Sequence, residues 1–285
     1  MPKIQSAVAA TQAVKNIHKA QSNLAGSVRK ISTGYRVNSA ADDAAGLGMG
    51  SFMQAEAKSI LQAMKNANDG ISVLQTAEGA ITEQTNMLVR MRELLVQAGN
   101  DVYGTDERNN ILSELKELRT EYSRISSVVN FNGTNLLNST DSLAIQVGKD
   151  GNVDNKISID LSKFNTTAST SGVSSLESVF NRIDDGSLVT TSDLALTGME
   201  RIDGAIVSMT SIRGDIGALQ NRFNSTLAEA TTQYESTVAS QGRILDADYA
   251  TESANMTKHQ LMLQSSVASL AQAKNIPQSL LALIG

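Results

Sequence analysis

Apolar residues recur along most of the chain at alternating intervals of three and four, the period of a helix with one buried stripe. Over residues 4–33 the series is Val14, Ile17, Leu24, Val28 and Ile31, with Gln21 its one polar member, and Gly34 marks a stop. Asn38 to Asp43 then reads as a turn into a second helix. Ser39 is its expected cap, with Asp42 and Asp43 in a first turn facing the positive end of the dipole. From there to about Gly99 one apolar position returns every seven residues, through Met53, Ile60, Ala67, Leu74, Ile81, Leu88 and Leu95. A helix of roughly 55 residues is about 80 Å long, which no small sphere contains. Its companion stripe shifts by one position, from Ala57, Met64 and Ile71 to Ala77, Gln84 and Met91, so the surface it packs against changes along its length.

Asn100 to Gly104 is a turn, and Thr105 is the expected cap of a third helix carrying Ile111, Leu115, Leu118, Tyr122, Ile125 and Val129. The short connection folds this helix back antiparallel on the second. Beyond Asn132-Gly133 the period drops to two. Leu143 to Val147 and Ile157 to Leu161, separated by Lys149-Asp-Gly-Asn152, predict a β-hairpin. Asn165 to Ser175 is largely Ser, Thr and Gly and reads as an exposed loop. Helical period resumes near Leu194 with Ile202, Met209, Ile216 and Phe223, and a last segment places Met256, Leu263, Val267 and Leu270 on one stripe before Leu280-Leu-Ala-Leu-Ile284. The predicted class is therefore mainly α: a long helical coiled coil or bundle built from the N- and C-terminal segments, with a small β-hairpin region at the tip.

Composition sharpens this picture. Two prolines in 285 residues, where usual abundance gives about fourteen, leave the backbone nearly free of helix breakers. The absence of cysteine excludes disulfides, thiolate metal sites and cysteine catalysis. The net charge of −5 is segregated: residues 1–41 carry six basic residues and no acid, residues 253–285 two and no acid, and the stretch between them 16 basic against 29 acidic. Six charges spread over 41 residues make a thin phosphate track, so a nucleic-acid partner is not expected. Neither a membrane span nor a signal peptide is expected from the hydropathy pattern. Gly46-Leu-Gly48-Met-Gly50 lacks the strand and Lys-Ser/Thr of a phosphate loop and reads as close helix packing. His18 and His259 stand alone on the two terminal helices, Asp246-Ala-Asp248 reads as a helix cap, and no Gly-x-Ser-x-Gly elbow is present. No enzyme activity, cofactor or metal is expected.

Ile31-Ser-Thr-Gly34-Tyr-Arg36-Val-Asn38-Ser-Ala-Ala-Asp-Asp-Ala-Ala-Gly-Leu47 resembles bacterial flagellin. The likeness continues in Ala67-Asn-Asp-Gly70-Ile-Ser-Val-Leu-Gln-Thr-Ala-Glu-Gly79, Arg90-Met-Arg-Glu-Leu-Leu-Val-Gln97, Val129-Asn-Phe-Asn-Gly133 and Arg243-Ile-Leu-Asp-Ala-Asp-Tyr-Ala-Thr-Glu252. It spans the first ~140 and the last ~90 residues, as in a minimal flagellin without large outer domains.

The resemblance implies a subunit exported by the flagellar type III apparatus and polymerised into an extracellular helical filament for motility. Residues 1–42 with 245–285 would form a terminal-helix inner domain, and 43–244 a helical bundle with the hairpin and loop at about 140–192. The assembly seam would comprise Val14, Ile17, Leu24, Val28, Ile31, Met256, Leu263, Val267, Leu270 and Leu281. Implied partners are further copies of the chain, an export chaperone on the C-terminal helix, and filament-cap and hook-junction proteins. The vertebrate Toll-like receptor for flagellin is a further partner, meeting Arg90, Leu94, Gln97 and Glu114. Thr166, Thr167, Ser169, Thr170 and Ser171 are candidate O-glycosylation positions on composition. Rival readings are a hook-filament junction protein and a long-helix extracellular adhesin.

Overall fold

The computed structural model describes the backbone of residues 3–167 and 175–284, and the side chains of residue 8 and of 10–167 and 176–273. Helix α1 (Lys3–Thr33) is followed by α2 (Ala44–Ala98) and α3 (Thr105–Val128). Two small hairpins come next, β1 (Asn130–Phe131) with β2 (Thr134–Asn135) and β3 (Ser142–Gln146) with β4 (Lys156–Asp160). Helices α4 (Ser175–Asp184), α5 (Ser192–Leu245) and α6 (Tyr249–Ile284) complete the chain. The mainly helical class holds, and α2 has the expected length of 55 residues.

Local chemistry sets most boundaries. Gly34 ends α1 with φ of 76°, a conformation a side chain would strain, while its N–H closes the last turn on the Lys30 carbonyl at 2.9 Å. The two caps expected from sequence are displaced by one to four residues. Asp43, not Ser39, caps α2, accepting from the Gly46 N–H at 2.8 Å. Ser39 instead donates to Asp42, in the turn ahead of the helix. Thr105 is the first helical residue of α3, and Gly104 holds the cap position without a side-chain bond. Asn132 and Gly133, with φ of 49° and 83°, form the tight turn joining β1 to β2. In the second hairpin Leu143 pairs with Ile159 and Ile145 with Ile157, which puts all four on one face.

The chain divides into two compact units, Met1–Lys58 with Glu235–Gly285, and Ser59–Tyr234. The boundaries fall inside α2 and α5.

In the second unit the α2 stripe of Leu74, Ile81, Leu88 and Leu95 is fully buried. It shares one core with Leu115 and Tyr122 of α3, Ile157 and Ile159 of β4, and Ile202, Met209, Ile216 and Phe223 of α5. The α2 stripe shift marks a polar junction. Gln84 is buried and donates to Ser126 Oγ at 2.7 Å and to the Tyr122 carbonyl at 3.2 Å. Helix α4 was not foreseen, its Leu176, Val179, Phe180 and Ile183 being hidden behind a polar stretch read as continuous loop. It packs on α3 through a Tyr122–Phe180 edge contact at 5.4 Å and an Arg119–Asp184 ion pair at 2.9 Å.

The core predicts a sharp contrast along α5. Phe223→Ala, at a fully buried site, lowers unfolding free energy by about 3–5 kcal/mol in urea titrations. Val207→Ala, at a side chain 69% exposed, changes it by about 0.5 kcal/mol or less.

Candidate assembly surface

Helices α1 and α6 lie along one another in the first unit. The buried residues described on α1 are small: Ala13, Ala20 and Ser27, at seven-residue spacing, Ala20 to 1% exposure. A seam of methyl and hydroxymethyl groups lets two backbones approach closely while removing little apolar area from water. Ile17, Leu24 and Ile31 flank it half-buried, and on α6 Met256, Leu263 and Leu270 are half-buried in turn. Lys30 reaches Glu252 at 3.9 Å across the pair.

The larger members of the stripes point away from this seam. Val14 is 40%, Val28 47% and Val267 51% exposed, and Val8, Leu261 and Met262 are exposed beside them. A groove of about 900 Å³ runs between the helices, with Lys19 and Lys258 at its sides and Ala20, Leu261 and Met262 among its lining. Of the ten seam residues read from sequence, nine are described, and they sort into an inner set and an outward set. Leu281 lies outside the described side chains. The small stripe of Ala13, Ala20 and Ser27 was missed, although its seven-residue spacing was legible.

The bends that return the chain are locked by backbone bonds. Arg36 N–H donates to the Leu245 carbonyl and its guanidinium to the Ile244 carbonyl, both at 2.6 Å, while Ala247 N–H donates to the Gly34 carbonyl at 2.8 Å. Gly50 is required by close approach: a Cβ there would sit 2.5 Å from Leu245 Cγ. Asp42 is held below the usual carboxylate range, foremost by the Ser39 hydroxyl at 2.9 Å and then by the Asn38 and Ser39 N–H groups. Asp248 caps α6 and is lowered likewise, chiefly by the Thr251 hydroxyl at 2.7 Å.

In the second unit Arg90 bridges Glu93 and Glu114, donating at 2.9 Å to each, and Gln97 is exposed on the same helix. Leu94 departs from its expected role. At 2% exposure it belongs to the helical core and presents nothing to a partner, because the α2 stripe turns it inward. Thr166 is also corrected as a glycan acceptor. It is fully buried, its Oγ1 lies 3.0 Å from Ser126 Oγ, and its carbonyl accepts from Tyr122 at 3.1 Å. Burial pushes the Tyr122 phenol far above its ordinary range, against a smaller opposing effect of that bond. Thr167 is half-buried with its hydroxyl committed to Asn165 at 2.6 Å. Ser169, Thr170 and Ser171 lie outside the described residues.

Two family models match the chain, the bacterial flagellin N-terminal helical region over residues 4–142 and the C-terminal helical region over 199–284. The chain belongs to the bacterial flagellin family. It is 34% identical to the flagellar filament 30.7 kDa core protein of Treponema maltophilum, covering 91% of each chain. It is also 34% identical to a flagellin of Bacillus subtilis (strain 168), over 95% of this chain and 97% of the other. A solved structure of a putative flagellar hook-associated protein from Vibrio parahaemolyticus shares the fold, with a TM-score of 0.60, 14% identity, and coverage of 72% of this chain and all of that one. This flagellin is a structural subunit of the bacterial flagellar filament, and the family is structural rather than enzymatic. Among the described residues no helix is long and apolar enough to cross a membrane.

The Asp42 turn yields a pH prediction. A carboxylate with a depressed native pKa stabilises the fold above its unfolded pKa of about 3.9, and that contribution is lost as pH falls through the native value. Ser39→Ala moves the Asp42 carboxyl titration upward toward the ordinary range in carbon-detected NMR and leaves that of Asp248 unchanged.

Proposed function

We propose that this flagellin polymerises through the outward apolar faces of α1 and α6. The supporting observation is their sidedness: small residues serve the seam within one chain, and Val14, Val28, Leu261, Met262 and Val267 are left facing water. These five apolar side chains on two thin helices stay uncovered in the described first unit, and a neighbouring copy supplies an identical complement. Such contacts are heterologous, one surface of a copy meeting a different surface of the next, so they propagate as an open helix instead of closing. The inner domain of residues 1–42 and 245–285 thus forms the filament core, while the helical bundle beyond it folds on its own contacts.

The same apolar faces bear on delivery. Export through the flagellar type III apparatus requires the chain unfolded, and an all-helical inner unit with a small internal interface unfolds cheaply. The C-terminal segment from Met256 to Ile284, unpaired before assembly, is the expected ligand of an export chaperone, docking as an amphipathic helix in a groove. Cap and hook-junction proteins meet the same faces at the filament ends. Recognition by the vertebrate Toll-like receptor for flagellin is assigned to Arg90, Glu114 and Gln97, the exposed members of the charged face on α2 and α3.

Two substitutions test these assignments. Val28→Asp places a charge on the outward face, and is expected to abolish sedimentable filaments while the monomer keeps its circular dichroism and melting profile. Filaments formed at the wild-type critical concentration would overturn the assembly surface. Arg90→Asp breaks the bridge to Glu93 and Glu114 and weakens binding of monomer to the receptor ectodomain by about tenfold or more in surface-plasmon measurements.

A further inference from the structure

We infer that Asn132 is a site of spontaneous deamidation, at which water converts the turn between β1 and β2 into an isoaspartyl link. Asn132-Gly133 is the one Asn-Gly pair in the sequence. Both residues are exposed, and their positive φ angles place them at the corner of the hairpin. The Asn132 carboxamide has no hydrogen-bond partner among the described residues, whereas those of the nearby Asn130 and Asn165 are engaged by Val128 and Thr167. A Cβ added at Gly133 would meet nothing within 4 Å, so the backbone nitrogen beside it is crowded neither by its own residue nor by a neighbour.

That nitrogen is the nucleophile. Having given its proton to hydroxide, it attacks the Asn132 Cγ; an N–Cγ bond forms, the Cγ–Nδ2 bond breaks, and ammonia leaves with a proton from water. A cyclic succinimide remains. Water then opens it at either carbonyl, giving aspartate, or isoaspartate with the main chain running through Cβ and Cγ. One water is taken up, one ammonia is released, and nothing is oxidised or reduced. Ring closure needs rotation of the Asn132 backbone, so the reaction proceeds from the opened turn. The hairpin has two residue pairs, Asn130 with Asn135 and Phe131 with Thr134, and so short a pairing at an exposed end opens readily. Asn138 and Asn224 are also exposed but are each followed by serine, and Asn224 is held within α5.

The legs of the turn are anchored. Val129 N–H closes α3 on the Ile125 carbonyl at 3.2 Å, Leu136 N–H donates to the Val129 carbonyl at 3.1 Å, and Leu136 and Leu137 are fully buried. An extra main-chain methylene therefore cannot spread into the flanks. It breaks the turn and its two pairs, adds a negative charge at the surface, and leaves the core beneath closed.

Storage of the full chain at neutral and alkaline pH tests this, with peptide mass spectrometry and labelling by an isoaspartyl methyltransferase. The segment holding Asn132 is expected to gain about 1 Da and to accept methyl groups ahead of those holding Asn138 and Asn224, and faster at alkaline pH. Asn132→Gln, which would have to close a larger ring, loses the labelling. Gly133→Leu strains a left-handed residue and opens the turn, yet its side chain shields the nitrogen, so conversion falls. Conversion at Asn138 that keeps pace with Asn132, labelling that survives in Asn132→Gln, or a Gly133→Leu chain that converts as fast as wild type overturns the assignment. Hydrogen exchange of the aged chain is expected to quicken over residues 130–135 and to hold steady over 74–95; quickening in both segments, or in neither, overturns the confinement of the change to the turn.

Discussion

The structure turns on how two terminal helices meet. Ala13, Ala20 and Ser27 bring α1 and α6 together through groups that bury almost no area, at a gain of roughly 25 cal/mol per Å². Larger residues in that seam would tie the pair more tightly, but would leave nothing apolar to offer a neighbour. The chain does the reverse. Val14, Val28, Leu261, Met262 and Val267 are exposed, so the inner unit leaves uncovered the apolar surface that a globular domain buries within itself.

The second unit follows the opposite rule. Leu74, Ile81, Leu88 and Leu95 on α2, Ile202 to Phe223 on α5, and Tyr122 and Phe180 between α3 and α4 close a core that excludes water without help. A buried polar junction of Gln84, Tyr122, Ser126 and Thr166 joins α2, α3 and the segment after β4 at the place where the α2 stripe shifts. Polar groups in such a position specify one arrangement of the helices, since any slip leaves them unpaired.

Charge follows the same division. The terminal helices are nearly acid-free, with Glu252 committed to Lys30, whereas the acidic excess lies in the stretch between them. Like charge on the parts that come together works against apolar contact, so burial and repulsion are balanced at the inner unit.

Much of this was legible in one dimension. The seven-residue recurrence from Met53 to Leu95 determines a long unbroken α2, the glycine at 34 determines where α1 stops, and the alternation around Ile145 and Ile157 determines a hairpin, because each is a rule of local backbone geometry. Helix α4 escaped, since its four buried residues occupy too short a window to stand out from the polar stretch before it. Tertiary structure alone decided which apolar residues are inside. Leu94 and Val28 both read from the sequence as contacts for a partner, yet one is core and the other open surface. Thr166 reads as exposed by composition and is sealed beneath Tyr122. Periodicity says that a face seeks cover; what provides the cover is settled by the three-dimensional neighbours, which for the second unit lie in the same chain, while Val14, Val28 and Val267 of the terminal helices stay exposed within it.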